Sequence, residues 1–145
     1  LYARPVCPPA TRQVTAMGKG SRRERQAVDI FKAAGWATYR PATVQYGEND
    51  VFGLFDILAV HPDWDRPRAV QVKANGNRGI MAWRDHTWLF RRTGFATDYL
   101  VCYDNSGWQL SAVTDAEHRT LVDERGADCT MGELVTDYLT PDSRR

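Results

Sequence analysis

The chain has 145 residues, 43% of them hydrophobic and 26% charged, with a net charge of +1. That length fits one domain with a real core. Three cysteines, none in a Cys-x-x-Cys spacing, argue against thiolate-held zinc and against a disulfide framework. There is no apolar run long enough to span a bilayer and no signal-peptide core at the start, so a cytoplasmic protein (host-cell cytoplasm if viral) is the expectation.

Charge is unevenly spread. Residues 1–41 hold eight basic and two acidic side chains, and 48–65 hold five acidic and no Lys or Arg. Residues 66–92 hold seven basic and one acidic, while 98–142 hold ten acidic and two basic. A fold that gathers both basic blocks around the short acidic one would make a positive rim about an acidic pocket, which suits a polyanion with a metal. The plain alternative is ordinary solvated surface.

Residues 1–16, with Pro5, Pro8 and Pro9, read as an extended arm or as an appended segment ahead of a natural start at Met17, and 17–145 as one domain. Ser21 is a suitable helix N-cap with Glu24 at the capping-box position. Ala27, Val28, Phe31 and Ala34 follow at helical spacing up to Gly35. Glu24 stands at the edge of that apolar stripe, and its plain role is the capping box. Residues 36–39 predict a short strand, and 42–54 a polar loop holding Glu48 and Asp50.

Residues 55–60 and 69–73 are two apolar runs flanking a turn with Pro62, Asp63, Asp65 and Pro67, which predicts an antiparallel hairpin. Gln71 and Lys73 alternate with Val70 and Val72 and so share a face. In that hairpin Asp56 comes opposite or diagonal to Gln71. Further on, Asn75-Gly76-Asn77 predicts a turn, 79–92 a helix, and 97–103 and 108–113 a second hairpin about Asp104-Asn105-Ser106-Gly107. A short helical piece is expected over 115–122 and a last helix over 130–139, capped by Thr130 with Glu133. The order predicts an α/β fold with a mixed central sheet flanked by helices. No Gly-x-Gly-x-x-Gly or Walker sequence is present.

Phosphodiester hydrolysis needs an activated water and neutralised phosphoryl charge, and a carboxylate-held divalent ion supplies much of both. Magnesium takes oxygen ligands and keeps several waters, so few protein oxygens suffice. Glu24 and Asp56 offer carboxylates, Gln71 an amide oxygen, and Val72 its backbone oxygen. Lys73, two residues from Gln71, can orient or deprotonate the water or balance transition-state charge. The plain alternative for Gln71 and Lys73 is the solvent face of an edge strand.

Glu24, Asp56 and Gln71-Val72-Lys73 together resemble the PD-(D/E)XK nuclease superfamily. Lys19-Gly20, Arg23-Glu24-Arg25, Gly35-Trp36 and Arg40 are similar to its archaeal-type and phage Holliday junction resolvase branch. The likeness covers about residues 18–76. It implies a restriction-endonuclease-like fold and a homodimer cutting four-way DNA junctions. Glu24, Asp56 and Gln71 would bind Mg2+ (with Mn2+ able to substitute), and Lys73 would be catalytic. Two departures stand out: Gln71 replaces the usual glutamate, and Phe55 replaces the proline before the aspartate. The first lowers the pocket's negative charge, which Asp50 or Glu48 could restore. The DNA-contacting set expected beside this centre is Lys19, Arg22, Arg23, Arg25, Arg40, Asn75, Asn77, Arg78 and Arg84, mostly to phosphates. Trp83, Trp88 and Phe90 are expected to pack the core or a dimer contact. Two other readings remain: a restriction or repair nuclease of the same superfamily, and a catalytically weak junction-binding module.

Overall fold

The computed structural model describes residues 19–41, 51–104 and 106–141. The expected 1–16 arm, Glu48 and Asp50 lie outside them. Among the described residues six strands form one sheet in chain order: β1 (Ala37–Tyr39), β2 (Ile57–Val60), β3 (Arg68–Ala74), β4 (Ala96–Tyr103), β5 (Gly107–Val113) and β6 (His118–Asp123). Only β3 and β4 run parallel; the other neighbours are antiparallel. A parallel pair needs a crossover, and two short helices supply it, α2 (Ile80–His86) and α3 (Trp88–Arg92). Helix α1 (Lys19–Ala33) precedes the sheet and α4 (Glu133–Leu139) follows it. The expected mixed α/β sheet flanked by helices is what the chain forms.

Strand alternation divides the core in two. On one face, Ala27, Ile30 and Phe31 of α1 and Val135 and Leu139 of α4 pack on Ile57, Ala59, Val70, Val72 and Leu100. On the other, Ile80 and Trp83 of α2 and the half-buried Phe90 of α3 cover Phe55, Ala69, Tyr99 and Val101. Phe31, Ile57 and Leu100 are fully buried, each contributing about 1.5–3 kcal/mol. Even-numbered β3 residues thus face α1, and Ala69, Gln71 and Lys73 face α2.

Helix α1 ends as expected. Gly35 takes φ +93°, its N–H donates to Lys32 O, and Trp36 N–H donates to Phe31 O, both at 3.0 Å. This is a Schellman closure that a residue with a Cβ would strain. Its start differs: the helix begins at Lys19, so Ser21 lies inside the first turn and is not an N-cap. The 79–92 helix is two helices, broken at the buried Thr87, whose hydroxyl donates to Trp83 O at 2.7 Å. The helical piece over 115–122 is instead an edge strand, β6. The last helix starts three residues later than expected, from Gly132 at φ +72°, with no side-chain cap. Among the described residues no helix is long and apolar enough to cross a membrane.

Candidate metal and nucleic-acid site

The candidate site is the corner where β2 parts from β3. The two strands pair Ile57 with Val70, and Asp56 N–H adds a last backbone rung to Val70 O at 2.9 Å. Upstream, the chain folds back on itself through a tight reversal closed by Val51 N–H to Phe55 O at 2.8 Å. So β2 offers no carbonyl to the next inward-facing β3 amide, that of Val72. The Asp56 carboxylate takes its place: Oδ2 accepts from Val72 N at 2.9 Å. Leaving that buried N–H unmet would cost about 1–3 kcal/mol. The carbonyl of Val72 points the same way as its N–H, as in any strand residue, and so faces the same gap.

Alternation sends the Asp56 side chain to the α2 face, where Gln71 and Lys73 also point. Neighbours fix the Gln71 amide. Oriented so that each end meets a complementary group, its nitrogen donates to Leu54 O at 3.0 Å and its oxygen accepts from Lys73 Nζ at 3.2 Å. Leu54 O also accepts from Trp83 Nε1, so one carbonyl ties the reversal, β3 and α2 together. Among the described residues no carboxylate forms an ion pair with Lys73, which is exposed. Asp56 is buried, 5% exposed.

Tyr99 closes the row. It lies beside Gln71 in the parallel β3–β4 register, and its ring meets Trp83 edge-on at 5.5 Å between centroids. Burial, and after it the negative charge of Asp56, push its phenol above the ordinary value. Strand alternation alone assigns Tyr99 to the core; its register position next to Gln71 is the signal that marks it as a site residue.

Glu24 belongs to the helix on the opposite face. Two contacts fix where it stands. Arg23 pairs with Asp104 just beyond β4, and Glu24 Oε1 pairs with Arg40 Nε at 3.2 Å just beyond β1, whose Tyr39 lies opposite Leu58. The start of α1 therefore sits at the same end of the sheet as Asp56 and Lys73, with Glu24 half-buried there. Arg40 holds this carboxylate.

The other expected DNA contacts divide. Arg22, Arg25 and Arg78 are exposed, and Lys19 opens α1. Asn75, at φ +59°, is committed to Asp104: Nδ2 donates to Oδ2 at 3.1 Å and Oδ1 accepts from Asp104 N at 2.9 Å. Asn77 O accepts from Ile80 N at 3.1 Å, starting α2. Arg84 stands apart, donating to Ala116 O at 3.2 Å beyond the end of β5, at the far end of the sheet from Lys73. Trp83 is in the core as expected, whereas Trp88 is half exposed.

Among the described residues no three His, Cys, Asp or Glu side chains form a metal cluster. The donors at the corner are one carboxylate, one amide oxygen and one backbone carbonyl, all hard oxygens. A site of that kind fits Mg2+, which needs one or two carboxylates and fills the rest of its octahedron with water; it would not hold a thiophilic ion.

No protein-family model matches this chain, and no curated protein sequence matches it. Among solved structures it is similar to Hjc, a Holliday junction resolvase from the archaeal hyperthermophile Archaeoglobus fulgidus, at 17% identity over 83% of this chain and 99% of that one, with a TM-score of 0.49.

Proposed function

We propose that the chain is a PD-(D/E)XK-type, Mg2+-dependent endodeoxyribonuclease that cuts four-way junctions by phosphodiester hydrolysis, acting as a homodimer. The observation that carries this is the corner itself: Asp56, Gln71 and Lys73 share one face where the sheet opens, with Gln71 Oε1 and Lys73 Nζ 3.2 Å apart. Asp56, Gln71 Oε1 and the Val72 carbonyl would hold the ion, with Glu24, paired to Arg40, as a further carboxylate at the same end of the sheet. When bound there, such an ion would supply charge neutralisation and a more acidic water. Lys73 places its ammonium beside the attacked phosphate, where charge develops on the phosphoryl oxygens. Arg22, Arg25 and Arg78 add phosphate contacts that position the duplex arms.

The test is cleavage of a labelled four-way junction beside a matched linear duplex, with wild type and Lys73→Ala. Symmetric nicking of the junction leaving 5′-phosphates, lost in the variant, is the expected result. Equal cutting of both substrates would redirect the reading to a restriction or repair nuclease. Gln71 supports a second reading, a junction-binding module of weak activity, because an amide in place of a carboxylate lowers the affinity for a divalent ion. That protein would bind junctions tightly and cut none in Mg2+ or Mn2+.

A further inference from the structure

Buried tyrosine hydroxyls ordinarily find a hydrogen-bond partner. Tyr99 as a residue is 1% exposed, and no hydrogen bond to its hydroxyl forms among the described residues; the oxygen itself is not sealed in. The ring is held firmly between Gln71 on the neighbouring strand and Trp83 on α2. Its hydroxyl reaches the backbone of Gly79, where an added Cβ would lie 3.3 Å away. Gly79 follows the exposed Arg78 and the 75–77 turn that leaves Lys73. A neutral donor is thus held, unspent, on the same row as Asp56 and Gln71, under a segment whose glycine leaves room above it.

We propose that the Tyr99 hydroxyl is a further substrate contact of this site, donating a hydrogen bond to a non-bridging oxygen of the phosphodiester to be cut. The inference rests on the nuclease reading above and names the residue on the β4 side of that phosphate. Adjacent strands lie about 4.8 Å apart, so Asp56 and Tyr99 flank Gln71 on either side, leaving a width that a phosphodiester can enter. The donor is uncharged, and so it adds orientation and transition-state stabilisation without repelling the ion. The chemistry of the step is unchanged: water attacks phosphorus, the sugar oxygen leaves, and the tyrosine keeps its O–H bond throughout.

The hydroxyl has no hydrogen-bond partner among the described residues, so stability and activity should separate in Tyr99→Phe. Its melting temperature should stay close to that of wild type, because no hydrogen bond within the described residues is removed. Its single-turnover junction cleavage in Mg2+ should fall about 10- to 100-fold, the low end for loss of one preorganised donor. Junction affinity measured in Ca2+, without turnover, should move less than about threefold, since a contact strongest in the transition state shows in rate before binding. Gly79→Ala, which crowds the hydroxyl at φ −89° without backbone strain, should slow wild type but add little to Tyr99→Phe. Tyr99→Phe cleaving at the wild-type rate would make the niche a water site only and overturn the proposal alone. A wild type that cuts no junction, or a Lys73→Ala variant as active as wild type, would overturn the nuclease reading and this contact with it.

Discussion

Two buried carboxylates close two corners of this sheet in nearly the same way. At one, Asp56 accepts the Val72 N–H where β2 leaves β3. At the other, Glu124 accepts the Trp108 N–H at 3.0 Å where β6 leaves β5. They differ in their surroundings. Glu124 spends its second oxygen on Leu134 N, also at 3.0 Å, and is 0% exposed, locking α4 to the sheet edge. Asp56 stands beside an amide, an ammonium and a phenol that has no hydrogen-bond partner among the described residues. A buried carboxylate is therefore a ladder-end device first; its surroundings decide whether it can also do chemistry.

The contrast can be broken at several strengths. Lys73→Ala should reduce junction cleavage about 100- to 1,000-fold while leaving the urea midpoint unchanged, because the side chain is exposed; assays and denaturation on one preparation check both. Glu124→Ala should cost about 3 kcal/mol or more by removing the acceptor for buried amides, read from urea unfolding, and it should lower activity only through the unfolded fraction. The amide isosteres sharpen the point. Asp56→Asn keeps an oxygen for Val72 N–H and should stay folded within about 1 kcal/mol, yet lose Mg2+-dependent cutting. Glu124→Gln must turn an NH2 toward a backbone N–H and should lose about 1–2 kcal/mol with the site intact.

Acidity separates the same corner from its surface. Burial raises the Glu124 carboxyl above 4.5, against the pull of the backbone N–H groups of Leu134, Trp108 and Val135. The folded state therefore holds a proton that the unfolded chain has already released. Glu124's contribution to stability falls as pH rises from 4.5 through its folded value, and Glu124→Gln should flatten that slope. Next to it, Arg125 lowers the Asp123 carboxyl to about 2. That contribution has the opposite sign: it is present above 3.8 and lost as pH falls through about 2. Arg125→Ala should return Asp123 toward 3.8 in an NMR titration and cost less than about 1 kcal/mol, since the pair is at the surface.

Much of the fold was legible because alternation and turn residues carried it. The hairpin that sets Asp56 beside Gln71 followed from two apolar runs and a proline-bounded turn, and the end of α1 followed from Gly35. β6 was not legible: His118, Arg119 and Thr120 are exposed, so no apolar period marks a strand that exists by pairing with β5. Thr87 hid the break between α2 and α3, since only a buried threonine bonded to the preceding turn reveals it. Glu124 sat in an acidic third that reads as surface, and no local pattern separates it from Asp123. At the site, the face shared by Asp56, Gln71 and Lys73 could be read from spacing. The Arg40 clasp on Glu24 and the solitary hydroxyl of Tyr99 could not, because both depend on contacts across 16 or more positions.

The double duty of Asp56 has a practical consequence for any saturation mutagenesis of this chain. Scored by cellular abundance, position 56 should tolerate side chains by shape, with asparagine near the top and alanine near the bottom. Scored by damage to junction-bearing DNA, the same library should rank by charge, and asparagine should drop to the floor. Comparing the two rankings at this single codon would separate the architectural role of the carboxylate from its chemical one without a purified protein.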